Sequence, residues 1–335
     1  MRSNLAVGLD TAKGLAVGLD VPFLGIHHMQ AHALTIRLVK ALASTEAASR
    51  ADEPAFPFLT VLASGGHTML ITSSGLNDHS LLAETGDIAL GDCLDKSARL
   101  ILPSSALKAP FGQALEDFAF PRGLDGYEYV APTRRQEELE CRMTRWGWAL
   151  RPPFAESKGG LKTTRRMAFS FAGLLTAVQR LFSRPSATDG NLAHEAHSPE
   201  DITEDERRDM AREVQRVTFE HLTSRLLLHL NSAAGGSINT VVVSGGVASN
   251  KYLRHVMRQM LDARGHPHVQ LEFPLVSLCT DNALMIAWAA LEMYNAGFRS
   301  ELDVQPIRKW SMDPKAEDGG ILGVGGWIQV ARTDG

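Results

Sequence analysis

Cysteine is scarce in this sequence, and recognisable signals for secretion or membrane insertion are missing. The three cysteines, Cys93, Cys141 and Cys279, are odd in number and far apart, which argues against a disulfide framework and favours a reducing compartment. No apolar run approaches the roughly 18 residues of a membrane-spanning helix. The first residues show neither a basic-then-apolar signal pattern nor an Arg-rich amphipathic presequence. We therefore expect a globular protein with no membrane partner.

A strong charge of either sign is also missing. The 335 residues carry a net charge of −4, and 44% are hydrophobic and 21% charged, which is an ordinary globular composition. The slightly acidic balance does not by itself indicate nucleic-acid binding, although it leaves room for a local basic patch. The length predicts roughly two domains.

Hydrophobic spacing and turn residues predict alternating helices and strands. Helices are predicted over residues 3–19, 27–43, 87–101, 168–182, 204–231 and 249–261, with a last helix ending near Asn295. Strands are predicted over residues 21–26, 58–63, 69–72, 240–243 and about 269–273, the second and third forming a hairpin. Segments 44–57 and 184–203 are polar connectors, and segment 102–166 is irregular and rich in charge.

Two histidines four residues apart, His28 and His32, directly follow the apolar run at 21–26. On a helix, this spacing puts both imidazoles on nearly one face. Two neutral imidazoles on one face are half of a site for a first-row transition metal. A pair of surface histidines that bind nothing is the alternative interpretation.

A strand that ends in Ser-Gly-Gly occurs twice, at Ser64–Gly66 and at Ser244–Gly246. Tight glycine turns at strand ends let backbone N–H groups approach a phosphate or a carboxylate. We expect the two turns to come from two lobes, to face each other and to form a nucleotide cleft. Either Gly-Gly pair alone could be an ordinary turn.

Six motifs in order carry a family resemblance. They are HHMQAH (27–32), SGGHT (64–68), GDCLDKSAR (91–99), FSFAG (169–173), SGGVASN (244–250) and CTDNALMIA (279–287). Together they resemble the tRNA threonylcarbamoyladenosine transferase family, over about residues 3–312. The segment PIRKW (306–310) and the long stretch at 102–122 resemble its fungal mitochondrial branch most.

The resemblance implies an α/β fold with the two-lobed architecture of actin-like ATPases. It also implies an enzyme that transfers threonylcarbamoyl from threonylcarbamoyl-adenylate to N6 of the adenosine beside the anticodon in ANN-decoding tRNAs. Members of the family begin with a strand and hairpin that we do not find here, so we expect the first lobe to lack its opening strands. The expected divisions are 1–101 (rest of the N-terminal lobe), 102–166 (irregular insert), 167–312 (C-terminal lobe) and 313–335 (tail).

The resemblance further implies the site residues. His28, His32 and Asp281 would hold one divalent ion, iron or zinc, and no catalytic residue is assigned beyond these ligands. Expected substrate-binding residues are Leu62, Ala63, Ser64, Gly65, Gly66, Asp95, Gly112, Glu116, Gly245, Gly246 and Asn250. Expected partners are tRNA, threonylcarbamoyl-adenylate and a second copy of the chain, and the expected compartment is the mitochondrion.

Several of these residues have simpler interpretations. Asp95 could form a salt bridge with Lys96 or Arg99 on a helix face, and Asn250 could be a helix N-cap. Around Gly112 the sequence departs from the pattern of many members. The basic patch Lys158, Lys162, Arg165 and Arg166 could contact tRNA phosphates or could simply be solvated. His27 has no role in the family, and Cys279 is expected to be a buried thiol.

Other function classes fit less well. A truncated, non-catalytic homologue that acts as a binding or scaffold protein is the main alternative. A sugar-kinase-like ATPase has the same fold but does not need the histidine pair and the distant Thr-Asp-Asn. A zinc metalloprotease would need a glutamate after the first histidine, whereas Met29 follows His28.

Overall fold

The computed structural model describes residues 2–43, 53–155, 163–182, 202–275, 278, 281–307, 310–322 and 327–329. Its helices are α1 (Arg2–Leu19), α2 (His28–Ala43), α3 (Leu90–Ile101), α4 (Phe111–Ala119), α5 (Ala172–Leu181), α6 (Glu204–Leu230), α7 (Lys251–Ala263) and α8 (Ala283–Asn295). Its strands are β1 (Phe58–Ala63), β2 (Thr68–Ser73), β3 (His79–Glu84), β4 (Pro121–Leu124), β5 (Thr240–Ser244), β6 (Gln270–Glu272), β7 (Phe298–Arg299) and β8 (Ile328–Gln329). Within these residues, no helix is both long enough and apolar enough to cross a membrane.

A mixed five-stranded sheet in the order β3-β2-β1-β5-β6 organises the fold. The first three strands form an antiparallel meander, and β1, β5 and β6 run parallel. The sequences FLTVLA and TVVVS of β1 and β5 are apolar and β-branched, which suits strands that are covered on both faces. The α/β fold class predicted from the sequence is therefore confirmed.

Side chains of β1 and β5 alternate between two apolar layers. Leu59 and Val243 belong to the larger layer, which the helices α3 to α7 complete. Phe58 and Val242 point to the other face and pack against buried side chains of α2 and α8. This period-2 alternation is what a strand requires, and it places α2 and α8 together on one side of the sheet.

The two Ser-Gly-Gly strands are neighbours in this sheet. Leu59 pairs with Val241, and Leu62 pairs with Ser244. The expectation that the two turns face each other from separate lobes is wrong, because two strands buried on both faces pair side by side in the centre of one sheet. This shared sheet also crosses the expected division between a lobe at 1–101 and a lobe at 167–312, and the other divisions stay predictions.

Most predicted elements are confirmed within a few residues, but one is not. The predicted strand over 21–26 is wrong: this stretch has no ladder partner among the described residues. It makes isolated long-range hydrogen bonds instead, such as the one from the N–H of Ser300 to Phe23 O. Strand β3 and helix α4 were not predicted. The connector at 184–203 and most of the connector at 44–57 lie outside the described residues.

Helix α1 carries apolar side chains that this fold does not cover. Its length agrees with the prediction over 3–19. Ala16 is buried, but several large side chains are exposed. These exposed side chains are Leu5, Val7, Leu15, Val17 and Leu19.

Candidate functional site

The first turn of α2 is capped by the side chain of His27. Its Nδ1 accepts the backbone N–H of Met29 at 3.2 Å and lies 3.4 Å from that of Gln30. Because Nδ1 accepts, the proton is on Nε2, which donates to the carbonyl oxygen of Trp310 at 2.7 Å. Burial lowers the pKa of His27, which favours this neutral form. An N-cap satisfies N–H groups that a helix start leaves free, so His27 fixes where α2 begins.

His28 and His32 lie one turn apart on α2, as predicted, with ring centroids 4.8 Å apart in a T-shaped arrangement. Asp281, just before α8, reaches both rings. Its Oδ1 lies 3.0 Å from Nε2 of His32 and 3.4 Å from Nε2 of His28. Packing of α8 against α2 therefore brings together residues that are 249 positions apart.

These three side chains fit a transition-metal ion. Their ligand atoms all lie within 4.8 Å of one another. Burial, and then the neighbouring His28, lower the pKa of His32, so its ring stays in the neutral, metal-binding form. Two imidazoles and one carboxylate suit zinc or iron and leave coordination positions open. The side chain of Asp281 is 77% exposed, so this side of the triad is accessible from solvent.

The first glycine turn lies beside this triad. His67, at the end of the turn, and His28 line one cavity of about 770 Å³, together with apolar residues such as Met69 and Met312. Within the turn, the Ser64 hydroxyl accepts the backbone N–H groups of Gly66 and His67 at 3.3 and 3.0 Å. His28 of the triad and His67 after the turn can therefore contact the same ligand.

The second glycine turn is held tightly against the end of β1. Gly245 has a φ of +94°, and a Cβ there would lie only 2.4 Å from the carbonyl oxygen of Ala63. Only glycine fits such a backbone. Because parallel strands end at the same edge of a sheet, both turns leave this edge side by side, which is where α/β proteins bind ligands.

Gly91, which the sequence did not single out, fixes the first turn from the other side. Its N–H donates to the carbonyl oxygen of Ser64 at 3.1 Å. A Cβ on Gly91 would approach that oxygen to 2.7 Å. The start of α3 is thus packed directly onto the turn. Leu62 and Ala63 are buried, so only their backbone could take part in binding.

Asp95 and Gly112, two of the expected substrate-binding residues, lie together. Gly112 donates its backbone N–H to the Asp95 carboxylate, and burial raises the pKa of this group despite that bond. The alternative salt bridge to Lys96 is not formed, since Lys96 pairs with Asp92 at 2.7 Å. The other partner considered from the sequence, Arg99, does act on Asp95 through its charge.

Glu116 and Asn250 both serve the start of α7. Glu116 Oε1 accepts the N–H of Lys251 at 2.7 Å. Asn250 Oδ1 accepts the N–H of Leu253 at 2.8 Å, and its amide donates to Gln215 at 2.9 Å. The N-cap interpretation of Asn250 is therefore confirmed. These two side chains shape the turn that contains Gly245 and Gly246.

Asp87 is a residue that sequence reasoning missed. Its carboxylate accepts hydrogen bonds from the Ser170 hydroxyl at 2.6 Å and from the N–H groups of Phe171 and Ala172 at 2.9 and 3.3 Å. Partial burial acts to raise its pKa, but these bonds outweigh burial and lower it. Asp87 thus attaches the FSFAG segment to the loop after β3. The only sequence signal was an acidic residue at the first position of the helix predicted over 87–101.

Other predicted residues contribute less here. Arg165 and Arg166 are exposed, and the guanidinium of Arg166 lies over the Phe154 ring at 5.6 Å. Lys158, Lys162 and Cys279 lie outside the described residues.

Comparison with known proteins identifies the family of this chain. The family profile described as "TsaD: tRNA N6-adenosine threonylcarbamoyltransferase" matches residues 3–288. A mitochondrial tRNA N6-adenosine threonylcarbamoyltransferase from Schizosaccharomyces pombe is 35% identical, over 98% of this chain and 67% of that protein. A tRNA N6-adenosine threonylcarbamoyltransferase from Sinorhizobium medicae is 32% identical, over 94% of this chain and 72% of that protein. The chain therefore belongs to the tRNA N6-adenosine threonylcarbamoyltransferase family, whose members are transferases.

Proposed function

We propose that this chain transfers threonylcarbamoyl from threonylcarbamoyl-adenylate to N6 of the adenosine beside the anticodon in ANN-decoding tRNAs. The convergence of His28, His32 and Asp281 beside the turn that ends at His67 carries this proposal. Family membership supports tRNA modification as the activity. The triad would hold one divalent iron or zinc ion, which supplies Lewis-acid polarisation of substrate oxygens when bound.

The residues of this chain would bind and orient the adenylate. Backbone N–H groups at Gly65 and Gly246 would approach its phosphate or threonyl carboxylate, and Gly66, whose N–H bonds the Ser64 hydroxyl, would leave room for the ligand. The Asp95 carboxylate would accept ribose hydroxyls, as acidic residues do in other nucleotide sites. Glu116 and Asn250 would keep the second turn in place through the caps of α7 described above.

Transfer would be direct. The adenosine N6 would attack the carbamoyl carbon, the bond from that carbon to the phosphate oxygen would break, AMP would leave, and the N6 proton would pass to solvent. A covalent route through Cys93 is disfavoured, because burial raises the pKa of its thiol to about 12 and the thiolate is the nucleophilic form.

The wider architecture and setting are further proposals. The uncovered apolar side chains of α1, such as Val7 and Val17, support a two-lobed actin-like fold in which this helix packs on first-lobe strands that are not among these residues. The location in the name of the fission-yeast relative supports a mitochondrial setting. We propose a homodimer from the family resemblance alone.

The exposed apolar side chains of α1 favour one second candidate function, that of a non-catalytic homologue that binds partners. Transfer activity distinguishes the two functions. Unmodified tRNA and threonylcarbamoyl-adenylate are incubated with the protein, and threonylcarbamoyladenosine is measured by mass spectrometry of the digested tRNA. We expect product from this chain, or from a version extended at its N-terminus, and none from the His28→Ala/His32→Ala variant. Replacement of the exposed His268 by Ala is the matched control. Full transfer by the metal-free double variant would overturn the proposal.

A further inference from the structure

A second group of charged side chains lies far from the metal triad, where the segment around residues 135–138 contacts α6 and the end of α7. It lines a cavity of about 300 Å³. The charged and hydroxyl-bearing lining residues are Arg135, Glu138, Arg165, Ser224, Ser232 and Arg264.

Chain connectivity puts this cavity at the opposite edge of the sheet from the glycine turns. The end of α6 leads through residues 231–239 into the start of β5, and the end of α7 leads through residues 264–269 into the start of β6. The glycine turns follow the other ends of the parallel strands. The cavity is therefore separate from the proposed transfer site.

One buried carboxylate forms ion pairs with two arginines of the cavity. Glu138 forms ion pairs with both Arg135 and Arg264. Arg135 also donates to the Ser224 hydroxyl and to the carbonyl oxygen of Thr164. Two guanidinium groups thus already share the two oxygens of Glu138.

Two more arginines add positive charge without adding a carboxylate. Arg225 is 1% exposed, and it donates to the backbone oxygen of Arg166 at 2.6 Å and to the Ser224 hydroxyl at 2.9 Å. Arg165 lines the cavity from its exposed side. Four guanidinium groups therefore lie near one buried carboxylate in this region, and the charge of Glu137 also acts on Arg264.

Burial and the neighbouring positive charges lower the pKa values of two of these arginines. Burial, and then the charge of Arg165, lower the pKa of Arg135 to about 10. Burial, and then the charge of Arg135, lower the pKa of Arg225 to about 9. The Nε atoms of Arg135 and Arg225 are buried and have no hydrogen-bond partner among the described residues. An oxyanion in the cavity would offset this repulsion.

We propose that this cavity binds a phosphate group through Arg135, Arg165 and Arg264, with the Ser224 hydroxyl beside them. Guanidinium forks match phosphate oxygens in pairs, which makes arginine well suited to this ligand. The arginines outnumber the nearby carboxylates, so the remaining positive charge favours an anionic ligand. The phosphate comes either from the backbone of an RNA or from a free phosphate compound, and the experiment below separates these sources.

The test measures binding of inorganic phosphate by titration calorimetry at constant ionic strength, with chloride as the reference anion. Arg165→Gln removes an exposed side chain, so the fold is retained, as circular dichroism will verify. We expect saturable binding to the unaltered protein and affinity at least about tenfold weaker in Arg165→Gln, the loss expected for a hydrogen bond to a charged group. Arg122→Gln, an exposed arginine outside the cavity, should bind phosphate normally.

A filter-binding arm with unmodified tRNA identifies the source. If Arg165→Gln also weakens tRNA binding and phosphate competes with tRNA, the ligand is an RNA phosphate. If tRNA binding is unchanged while phosphate binding is lost, the ligand is a free phosphate compound. Absence of saturable phosphate binding, or equal affinities in Arg165→Gln and Arg122→Gln, overturns the proposal. Transfer activity plays no part in this test, so its outcome is independent of the proposed function.

Discussion

Nε2 of His27 donates a hydrogen bond to the carbonyl oxygen of Trp310, 283 positions away, while Nδ1 of the same ring caps α2. This single side chain connects the C-terminal segment to the first turn of the helix that carries His28 and His32. It is a positioning residue, because it fixes the start of the helix that carries two of the three triad residues.

His27→Ala should lower the free energy of unfolding by about 2 kcal/mol, because a cap and a buried hydrogen bond are lost together. It should also weaken zinc binding about tenfold, as losses of supporting contacts around a metal ligand do. Denaturant unfolding and competition with a chromophoric chelator measure the two effects.

His27→Asn is the informative companion, since an asparagine oxygen can cap α2 but cannot reach Trp310 in the same way. It should restore part of the stability and of the zinc affinity. Unchanged zinc affinity in His27→Ala would show that the cap does not position the triad.

Gly245→Ala should be strongly destabilising, by about 3 kcal/mol, because the backbone conformation is one that L-residues avoid and the new methyl group meets the Ala63 carbonyl. Gly66→Ala is the matched control in the other turn, where a Cβ would have no atom within 4 Å. Denaturant unfolding of both variants tests this difference. Equal stability losses would contradict the structure of the second turn.

Asp87→Asn should cost about 1–2 kcal/mol of stability. The single oxygen of the amide cannot accept all three hydrogen bonds that Ser170 and the two N–H groups at the start of α5 now donate to the carboxylate. Asp92→Asn removes only an exposed ion pair with Lys96 and should cost less than about 0.5 kcal/mol. Thermal unfolding at neutral pH compares them, and the account of Asp87 fails if the two variants unfold alike.

Stability should fall below pH 6.5, in part because of His79. This ring is buried; its Nε2 donates to Leu76 O, and its Nδ1 accepts from the Ser73 hydroxyl. Burial lowers the pKa of His79 to about 4, whereas an unfolded histidine has a pKa of about 6.5. The unfolded chain therefore takes up the proton first, and the stability present above pH 6.5 is lost as pH falls toward 4.

For His79 this loss can reach about 1.4 kcal/mol per pH unit. In His79→Gln, the slope of unfolding free energy against pH between 6 and 5 should be smaller by up to that amount. Above pH 7.5 the slopes of both proteins should agree. Urea unfolding at each pH provides the slopes, and identical slopes between pH 6 and 5 would refute the assignment.

The sequence correctly predicted those helices and strands whose own residue pattern determines their structure. Helix α6 shows a clear N-cap, with the Thr203 side chain accepting from Glu206, and β1 and β5 are runs of apolar residues that only a two-sided strand would bury. The stretch Val21–Ile26 has the same apolar character, but a strand also needs a neighbour, and sequence cannot supply one. Strand β3, with the mixed sequence HSLLAE, exists because β2 pairs with it.

Prediction of the site from the sequence has the same limit. The spacing of His28 and His32 suggested a metal site directly, since both lie on one helix. Asp281 entered through the family resemblance, because no local pattern connects it to α2. The side-by-side placement of the glycine turns could not be predicted, as it depends on which strands pair in the sheet. The cap from His27 depends on a backbone carbonyl, which carries no sequence signal.

Metal reconstitution tests the central claim most directly. Protein stripped by a chelator is titrated with zinc or iron(II), and bound metal and threonylcarbamoyl transfer to tRNA are measured together. Transfer should return with one equivalent of metal per chain, and Asp281→Asn should bind metal at least about tenfold more weakly, whereas Asp125→Asn, an exposed carboxylate elsewhere, should behave normally. Full transfer by the stripped protein, or equal metal affinity in Asp281→Asn and Asp125→Asn, would contradict the account.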